Sequence, residues 1–329
     1  MKTIKVGTIG YGGAFNMGRQ HLNELVRNPG FVATAVCDID PARVKIAETD
    51  FPGIQTYTDL DTMLEKSDVE LLVIILPHNV HGEVALKCLK AGRHVVVEKP
   101  FAITVDECDA MIAEAKARNL LCSCYHNRHW DSNILTITKH LAKIGRPFRW
   151  ESYQGGYGKP GDWWRSKKEI SGGLIYDWGA HFMEWMLQVM PYEMTEIAGY
   201  SANDVWPVTN EDELEAVVRF GANAVVSHQV TQVALEGKPA LRIVGTKGTI
   251  TWDWRNVNLT TVNDIGETVR TTLVNEPGAQ LKYYENIHAH LFNGDPLIIT
   301  PEHARRVIQI LDYATRSAEK SETLKAKYV

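Results

Sequence analysis

Short apolar runs alternate with amphipathic stretches over the first third of the chain. The run Leu71–Leu76 is apolar at every position, which is typical of a strand buried on both faces of a parallel sheet. Asp40 and Pro41 predict the N-cap and first position of a helix. The alternation predicts a doubly wound parallel sheet. Its predicted strands are Ile4–Ile9, Phe31–Cys37, Leu71–Leu76, His94–Val97 and Leu120–Tyr125, and its predicted helices are Arg19–Arg27, Pro41–Glu48, His81–Lys90 and Thr104–Arg118.

The pattern changes in the second part of the chain. A helical stretch over Gly172–Met190 is followed by strand-like runs separated by short turns, which favours a mostly antiparallel sheet. Helical periodicity returns at Gln280–Phe292 and Pro301–Ser321. This part therefore reads as an α+β domain. Its predicted strands are Glu196–Tyr200, Glu213–Phe220, Ala224–Val233, Ala240–Gly245 and Thr249–Trp254.

Composition supports a division near residue 125. The five cysteines all precede it, whereas the nine tryptophans all lie from Trp130 onward. We predict a nucleotide-binding domain over residues 1–124 and a substrate-binding domain over residues 125–329. The C-terminal helix is expected to pack back on the first domain.

Charge and hydropathy exclude several classes of protein. A net charge of −5 without a basic block argues against nucleic-acid and anionic-membrane partners. The longest apolar run is too short to span a bilayer, and the strand-like start of the chain leaves no room for a signal peptide. An odd number of cysteines fits reduced thiols, so a soluble, cytoplasmic protein is expected.

A glycine-rich turn follows the first predicted strand, beginning Gly10-Tyr11-Gly12-Gly13. Glycines at such a turn permit a tight bend and close approach of a pyrophosphate to the helix N-terminus. The spacing departs from G-x-G-x-x-G because Phe15 occupies the place of the third glycine. Asp38, at the end of the second strand, is suited to bind the ribose hydroxyls and repel a 2′-phosphate, which favours NAD over NADP. A glycine turn without a ligand, with Asp38 merely starting a turn, is the structural alternative.

These motifs resemble the Gfo/Idh/MocA oxidoreductases, a family that includes glucose–fructose oxidoreductase and inositol dehydrogenases. The Glu-Lys-Pro element and the Gly-Gly…Asp…His element are specific in combination. The resemblance is carried by the glycine turn and by the segments Pro77–His81, Ala91–Pro100, Tyr125–Asp131, Trp164–Arg165 and Gly172–His181.

The resemblance implies a Rossmann domain followed by an α/β domain whose open sheet forms a homodimer or homotetramer. It also implies NAD as cofactor and a sugar-like or cyclitol substrate. The positions expected to contact the cofactor are Gly10, Gly12, Ala14, Phe15, Asn16, Asp38, Pro77, Asn79, His81, Glu98, Lys99, Asn127, Trp164 and Arg165.

Alcohol oxidation requires a group that takes the hydroxyl proton while a hydride leaves carbon. Lys99 follows a strand at the sheet edge where doubly wound folds bind ligands. Asp177 and His181 are four residues apart in the predicted helix, so that the carboxylate could orient the imidazole. We predict His181 as proton acceptor, Lys99 as polariser and relay, and Asp177 as orienter and acceptor of a substrate hydroxyl. Lys99 and His181 could exchange roles.

Each of these three candidate catalytic residues also has a purely structural interpretation. Lys99 could be a surface lysine paired with Glu98, and Asp177 and His181 could be a pair that stabilises the helix. Tyr157 and Trp163 are predicted to offer flat faces to a sugar ring, with Lys99, Asp177 and His181 binding it as well. Trp178 and Trp185 are predicted to be core residues.

The sequence leaves three alternatives to a dehydrogenase: a metal site, a glycoside-cleaving enzyme and a non-catalytic regulator. Pairs such as His78 with His81 and Cys122 with Cys124 offer metal ligands, but none has the spacing of a structural zinc site, so no metal is predicted. A transient oxidation at sugar C3 followed by glycoside cleavage would use the same cofactor. A non-catalytic NAD-binding regulator would be expected to lack the lysine or the histidine, and this chain has both.

Overall fold

A computed structural model describes residues 3–13, 15–221 and 223–326 of the chain. The chain forms two compact units. Unit 1 comprises Met1–His126 and Leu281–Arg305, and unit 2 comprises Asn127–Gln280 and Arg306–Val329. The segment from residue 281 to residue 305, which follows the second domain in sequence, thus groups with the nucleotide-binding part.

Unit 1 is built on a six-stranded parallel sheet with the strand order β3-β2-β1-β4-β5-β6. This order and the helical crossovers are those of a Rossmann fold, as predicted. Its strands are β1 (Ile4–Ile9), β2 (Phe31–Cys37), β3 (Gln55–Tyr57), β4 (Leu71–Ile74), β5 (His94–Val97) and β6 (Cys122–Cys124). Its helices are α1 (Met17–Val26), α2 (Pro41–Asp50), α3 (Leu60–Lys66), α4 (His81–Lys90), α5 (Val105–Arg118) and, after unit 2 in sequence, α9 (Lys282–Asn293).

Unit 2 contains a nine-stranded mixed sheet with the order β14-β13-β12-β11-β7-β10-β9-β8-β15. All neighbouring strands are antiparallel except β7 and β10, which are parallel. The predicted mostly antiparallel sheet is confirmed. Its strands are β7 (Pro147–Gly155), β8 (Met194–Ala202), β9 (Glu213–Phe220), β10 (Ala224–Thr231), β11 (Leu241–Gly245), β12 (Gly248–Trp252), β13 (Val257–Val262), β14 (Thr268–Thr272) and β15 (Leu324–Lys325). Its helices are α6 (Ser132–His140), α7 (Lys168–Ser171) and α8 (Gly179–Val189), and α10 (Pro301–Lys320) begins in unit 1 and ends in unit 2.

Strand β7 was missed by the sequence pattern although it lies in the middle of the sheet. Arg149 and Glu151 on one face of this strand form an ion pair at 3.1 Å, whereas Trp150 and Ser152 on the other face are buried. The alternation is that of a strand with one polar face, but Ser152 on the buried face and the buried Tyr153 on the polar face interrupt it. The buried face of the sheet packs on α8, where every position except Gln188 is buried.

The prediction of one continuous helix over Gly172–Met190 is wrong. Gly172 and Gly173 have φ of +88° and +126°, which a right-handed helix excludes. A carboxylate oxygen of Glu211 accepts a hydrogen bond from the backbone N–H of Leu174 at 3.0 Å. A short 3₁₀ turn follows, and α8 starts only at Gly179. Asp177 therefore precedes the helix that carries His181.

All five cysteines are buried free thiols. Burial raises the pKa of the Cys37 thiol to about 11 and that of Cys88 to about 12. Thiols with so little thiolate at neutral pH are poor nucleophiles and metal ligands.

None of the helices in the described ranges is long and apolar enough to cross a bilayer.

His228 of β10 is a fully buried histidine beneath α8. Its Nδ1 lies 2.9 Å from the hydroxyl oxygen of Ser152, and its ring packs 4.9 Å from that of Phe182. Within the described residues its Nε2 has no hydrogen-bond partner. Burial lowers the pKa of His228 to about 3, because the charged imidazole would lose its hydration.

We expect the protein to lose stability in acid through His228. The unfolded chain takes up a proton below about pH 6.5 while the folded imidazole stays neutral down to about pH 3. The free energy of unfolding should therefore fall by about 1.4 kcal/mol for each pH unit across that window. Urea unfolding at pH 7 and pH 5 measures this. His228→Gln should flatten the dependence whatever it does to stability at pH 7, and an unchanged slope would contradict the prediction.

Candidate functional site

The glycine turn after β1 depends on three glycines, of which two make a close approach to neighbouring backbone. Gly10 has φ +89°, and a Cβ there would lie 2.0 Å from the carbonyl oxygen of Ile75. Gly12 has φ +45° and faces open space, so a ligand can approach its backbone. A Cβ on Gly18 would lie 2.9 Å from the Cα of Tyr11. Gly18 thus allows the close helix–strand packing that the third glycine of the motif provides elsewhere, which explains the tolerance of Phe15.

Helix α1 offers its N-terminus at this turn. Its N-cap residue, Asn16, is in the left-handed region with φ 52°, and its side chain makes no capping hydrogen bond to the described helix. The first N–H groups of a helix are a binding site for a phosphate when no side chain caps them. Phe15 is 60% exposed beside them, whereas Ala14 lies outside the described residues. The turn fits the pyrophosphate of a dinucleotide.

Asp38 closes the turn from the end of β2. Its Oδ2 accepts hydrogen bonds from the backbone N–H of Tyr11 at 2.7 Å and of Gly12 at 3.3 Å, and its Oδ1 accepts one from Asp40 at 2.9 Å. A carboxylate has about four acceptor sites, so Asp38 can hold the turn and still accept a ribose hydroxyl.

Arg43 is a neighbour of the turn that the sequence pattern did not reveal. A Cβ on Gly13 would lie 1.9 Å from its Nη2, which places the guanidinium directly over Gly13. Its Nε is 3.8 Å from a carboxylate oxygen of Asp40. Asp38 and Arg43 therefore set opposite charges beside the adenosine end of a dinucleotide bound at this turn.

Lys99 lies just beyond β5, at the same edge of the parallel sheet as the glycine turn after β1. The carboxylate of Glu98 accepts a hydrogen bond from the backbone N–H of Lys99 at 2.9 Å. Its other oxygen lies 3.0 Å from Nε2 of the fully buried His21, whose Nδ1 is 2.6 Å from the hydroxyl of Tyr284. Glu98 thus connects the backbone of Lys99 to the side chains of His21 and Tyr284. No local sequence pattern predicted the part played by His21.

The carboxylate of Glu98 is stabilised in its charged form. Burial raises the pKa of Glu98, but the hydrogen bond with His21 and the charges of His21 and Lys99 outweigh it, and the net pKa is lowered. An ionised Glu98 is an acceptor only, so it can hold both the lysine amide and the imidazole.

His81 is tied to the same edge of unit 1. Its Nδ1 lies 2.7 Å from the carbonyl oxygen of Pro100, and its Nε2 lies 2.8 Å from that of Leu76. Burial lowers its pKa. The fully buried ring thus lies between two backbone carbonyls, and as a neutral imidazole it donates a hydrogen bond to one of them beside Lys99. Pro77 caps the intervening 3₁₀ turn, and Asn79 is exposed.

In unit 2, Asp177 is held by Arg165. The Nη1 of Arg165 donates a hydrogen bond to Oδ1 of Asp177 at 2.6 Å. The guanidinium lies 5.3 Å from the ring centre of Trp163 and 5.0 Å from that of Trp164. Trp163 is 37% exposed. The structure thus brings four predicted site residues together and gives Asp177 an arginine partner that the i,i+4 spacing did not predict.

His181 lies in the first turn of α8 with 6% of its surface exposed. Its ring is 5.4 Å from that of Trp178. Trp178 is half-buried at the N-cap of α8 and carries Arg128 over its ring at 5.0 Å, whereas Trp185 is buried as predicted. Trp178 is therefore part of the site's surroundings and not only of the core.

Asn127 and Tyr157 are the other predicted site residues of unit 2. Asn127 is half-buried in a 3₁₀ turn over Asn127–Trp130. Tyr157 is 54% exposed, pairs with Val233 in an isolated bridge and packs 5.4 Å from the ring of Trp206. Among the described residues, no three His, Cys, Asp or Glu side chains form a group able to hold a metal ion.

Comparison with known proteins identifies the family. Residues 4–126 match the NAD-binding Rossmann fold of the Gfo/Idh/MocA oxidoreductase family, and residues 141–326 match its C-terminal alpha/beta domain. The chain belongs to the Gfo/Idh/MocA family. It is therefore an NAD-binding oxidoreductase, as the sequence motifs predicted.

Individual relatives are distant. The chain is 27% identical to scyllo-inositol 2-dehydrogenase (NADP(+)) IolW of Bacillus subtilis over 98% of this chain and 96% of that protein. It is 31% identical to an uncharacterized oxidoreductase of Schizosaccharomyces pombe over 61% of this chain, which spans 58% of that relative. A solved structure of levoglucosan dehydrogenase in complex with NADH and L-sorbose matches with a TM-score of 0.86 at 20% identity, covering 100% of both chains. That last likeness is one of fold.

Proposed function

We propose that the protein is an NAD-dependent dehydrogenase that oxidises a secondary alcohol of a sugar, a glycoside or a cyclitol. The observation that carries the proposal is the position of Lys99, which follows β5 beside the nucleotide turn and whose backbone is held by Glu98, itself bonded to the buried His21. A full-length relative supports the substrate class, since it is named for an inositol.

The chemistry follows from the residues of the chain. Bound NAD supplies the acceptor for the hydride that leaves the alcohol carbon. The Lys99 ammonium donates a hydrogen bond to the alcohol oxygen and stabilises the negative charge that develops on it. The hydroxyl proton passes to the imidazole of His181, with Lys99 as its relay partner. If the two residues exchange roles, Lys99 takes the proton as the neutral amine and His181 polarises the oxygen. Asp177, whose Oδ1 accepts a hydrogen bond from Arg165, orients the imidazole and accepts a hydrogen bond from a substrate hydroxyl.

The proposal is tested with a panel of cyclitols, monosaccharides and glycosides in the presence of NAD, followed at the NADH absorbance. We expect NADH to form with at least one member of the panel. Release of an aglycone without net NADH would instead indicate transient oxidation and glycoside cleavage. Tight binding of NAD with no turnover of any member would indicate a regulator.

We expect the enzyme to prefer NAD and Asp38 to be the cause. Asp38→Ser removes the charge that repels a 2′-phosphate and leaves Arg43 to attract it. The NAD:NADP ratio of kcat/KM should then fall about tenfold, which corresponds to about 1.4 kcal/mol. Steady-state kinetics with both cofactors measure the ratio.

Two controls isolate the cause of this change. Adding Arg43→Gln to Asp38→Ser should remove most of the gain with NADP, whereas Asp264→Ser, at an exposed turn, should leave the ratio unchanged. A wild-type enzyme with the higher kcat/KM for NADP would disprove the role assigned to Asp38.

We also propose that copies of the chain associate as a homodimer or homotetramer through the open face of the nine-stranded sheet. This face carries exposed apolar side chains at the strand ends, including Tyr200 (64% exposed) and Val262 (63% exposed). Light scattering of the purified protein measures the mass, and a monomer at micromolar concentration would refute the proposal.

A further inference from the structure

Trp254 is an exposed aromatic residue in a backbone conformation that its side chain disfavours. It lies in the turn between β12 and β13 with φ +75°, and 46% of its surface is exposed. A bulky residue in the left-handed region costs free energy, and such outliers concentrate at ligand sites. The Oδ1 of Asp253 holds the turn by accepting hydrogen bonds from the N–H of Arg255 at 3.0 Å and of Asn256 at 2.7 Å.

The indole of Trp254 is anchored on one side by an aromatic cluster. Its ring centre lies 4.7 Å from that of Trp252, 5.2 Å from that of Trp178 and 6.0 Å from that of Phe182. Phe182 and Trp252 are buried. Trp254 is therefore a rigid platform, and its contacts with Trp178 and Phe182 place it on the helix-bearing side of the sheet.

The platform is close to the candidate catalytic helix. Trp178 separates it from His181, at ring distances of 5.2 Å and 5.4 Å, so the indole of Trp254 lies within about 11 Å of the imidazole. Arg128 lies over the ring of Trp178 with 38% of its side chain exposed. Its Nη1 donates to Asp131 at 2.9 Å, and the guanidinium has five N–H donors in all, beside the indole of Trp178. Rigid apolar faces beside polar donors suit a sugar ring, whose C–H face stacks on indole and whose hydroxyls need partners.

We infer that Trp254 binds a second pyranose ring of the substrate, next to the ring that is oxidised. This inference rests on the proposed function and narrows its substrate class to disaccharides and larger glycosides. The Trp254 ring stacks on the second ring, and Arg128 donates to its hydroxyls. The contact lowers KM for two-ring substrates and is not used by free monosaccharides or cyclitols.

The test compares pairs of sugars that share one ring: glucose with maltose and cellobiose, and galactose with lactose. The measured quantity is the ratio of kcat/KM for the disaccharide to that for its monosaccharide. Trp254→Gly removes the indole and also the backbone strain, because glycine accepts φ +75°. We expect this variant to lower the ratio about tenfold, and Trp254→Phe to restore part of it.

Because both sugars are measured on the same variant, a general loss of stability cancels from the ratio. Ile265→Ala, which changes another exposed apolar side chain in the next hairpin turn, should leave the ratio unchanged. An unchanged ratio in Trp254→Gly, or a wild-type enzyme that oxidises monosaccharides or cyclitols but no disaccharide, overturns the inference and leaves the proposed function intact. Absence of turnover with every sugar and cyclitol defeats both.

Discussion

Lys99→Met should lower kcat by about 100-fold to 10,000-fold while the Kd for NAD changes little. Methionine keeps the length of the side chain but removes the ammonium that polarises the alcohol, and a positioned acid–base group contributes about that much to a rate. The Glu98 carboxylate bonds to the backbone N–H of residue 99, which the substitution retains. Steady-state turnover of the best substrate and calorimetric titration with NAD measure the two effects.

A matched control variant separates the loss of the catalytic ammonium from the general effect of removing a positive charge. Lys90→Met removes an exposed lysine at the end of α4 in the same unit and should leave kcat within about twofold of wild type. Turnover of Lys99→Met within tenfold of wild type would remove Lys99 from the mechanism. An equal loss of NAD affinity and kcat would indicate a binding role instead.

His181→Ala should lower kcat by about 100-fold or more, because the hydroxyl proton loses its acceptor. Added imidazole should restore part of the activity of His181→Ala, because it can replace the missing side chain as proton acceptor. It should restore none of the activity of Lys99→Met, which lacks an ammonium group and not an imidazole. His181→Gln keeps most of the side-chain volume in the packing against Trp178, yet it cannot accept the proton as imidazole does. It should therefore be as inactive as His181→Ala, with a melting temperature closer to wild type.

Comparison of His181→Gln with His181→Ala distinguishes a catalytic role of His181 from a role in packing. Activity of His181→Gln near the wild-type level would mean that His181 serves only the structure around α8. His140→Ala, at the end of α6, is the control histidine of the same unit and should leave kcat unchanged. If Lys99→Met is inactive while both His181 variants stay active, the lysine takes the proton and His181 has no part in the chemistry.

The fold of the nucleotide-binding part was predictable because its signals are local. Each strand of unit 1 that the pattern predicted is present, and helices α2, α4 and α5 begin within one residue of their predicted starts. Apolar runs, N-caps and glycine turns act within a few residues of the chain. The short β3 (Gln55–Tyr57) was missed because its residues are exposed or half-buried and form no apolar run.

The second unit was predictable only in outline. Strands β8 to β12 were located, but β7, β13, β14 and β15 were missed. In β7 the alternation is interrupted at Ser152 and Tyr153, β14 is exposed at every position, and β15 has only two residues. The helix predicted over Gly172–Met190 failed because helical periodicity does not register two glycines at positive φ. The spacing of Asp177 and His181 therefore did not imply the helical i,i+4 geometry, and Asp177 pairs with Arg165.

The sequence by itself determined the family and the cofactor class, because motif residues near one another in the chain specify a turn or a strand end directly. The residues proposed for the chemistry are a prediction from the same motifs. Only the tertiary structure decided which side chains support them. His21 and Tyr284 are 263 residues apart in sequence yet 2.6 Å apart in space, and the contact of Trp254 with Trp178 likewise joins distant segments. Such contacts depend on strand register and on packing between elements, which no local pattern encodes.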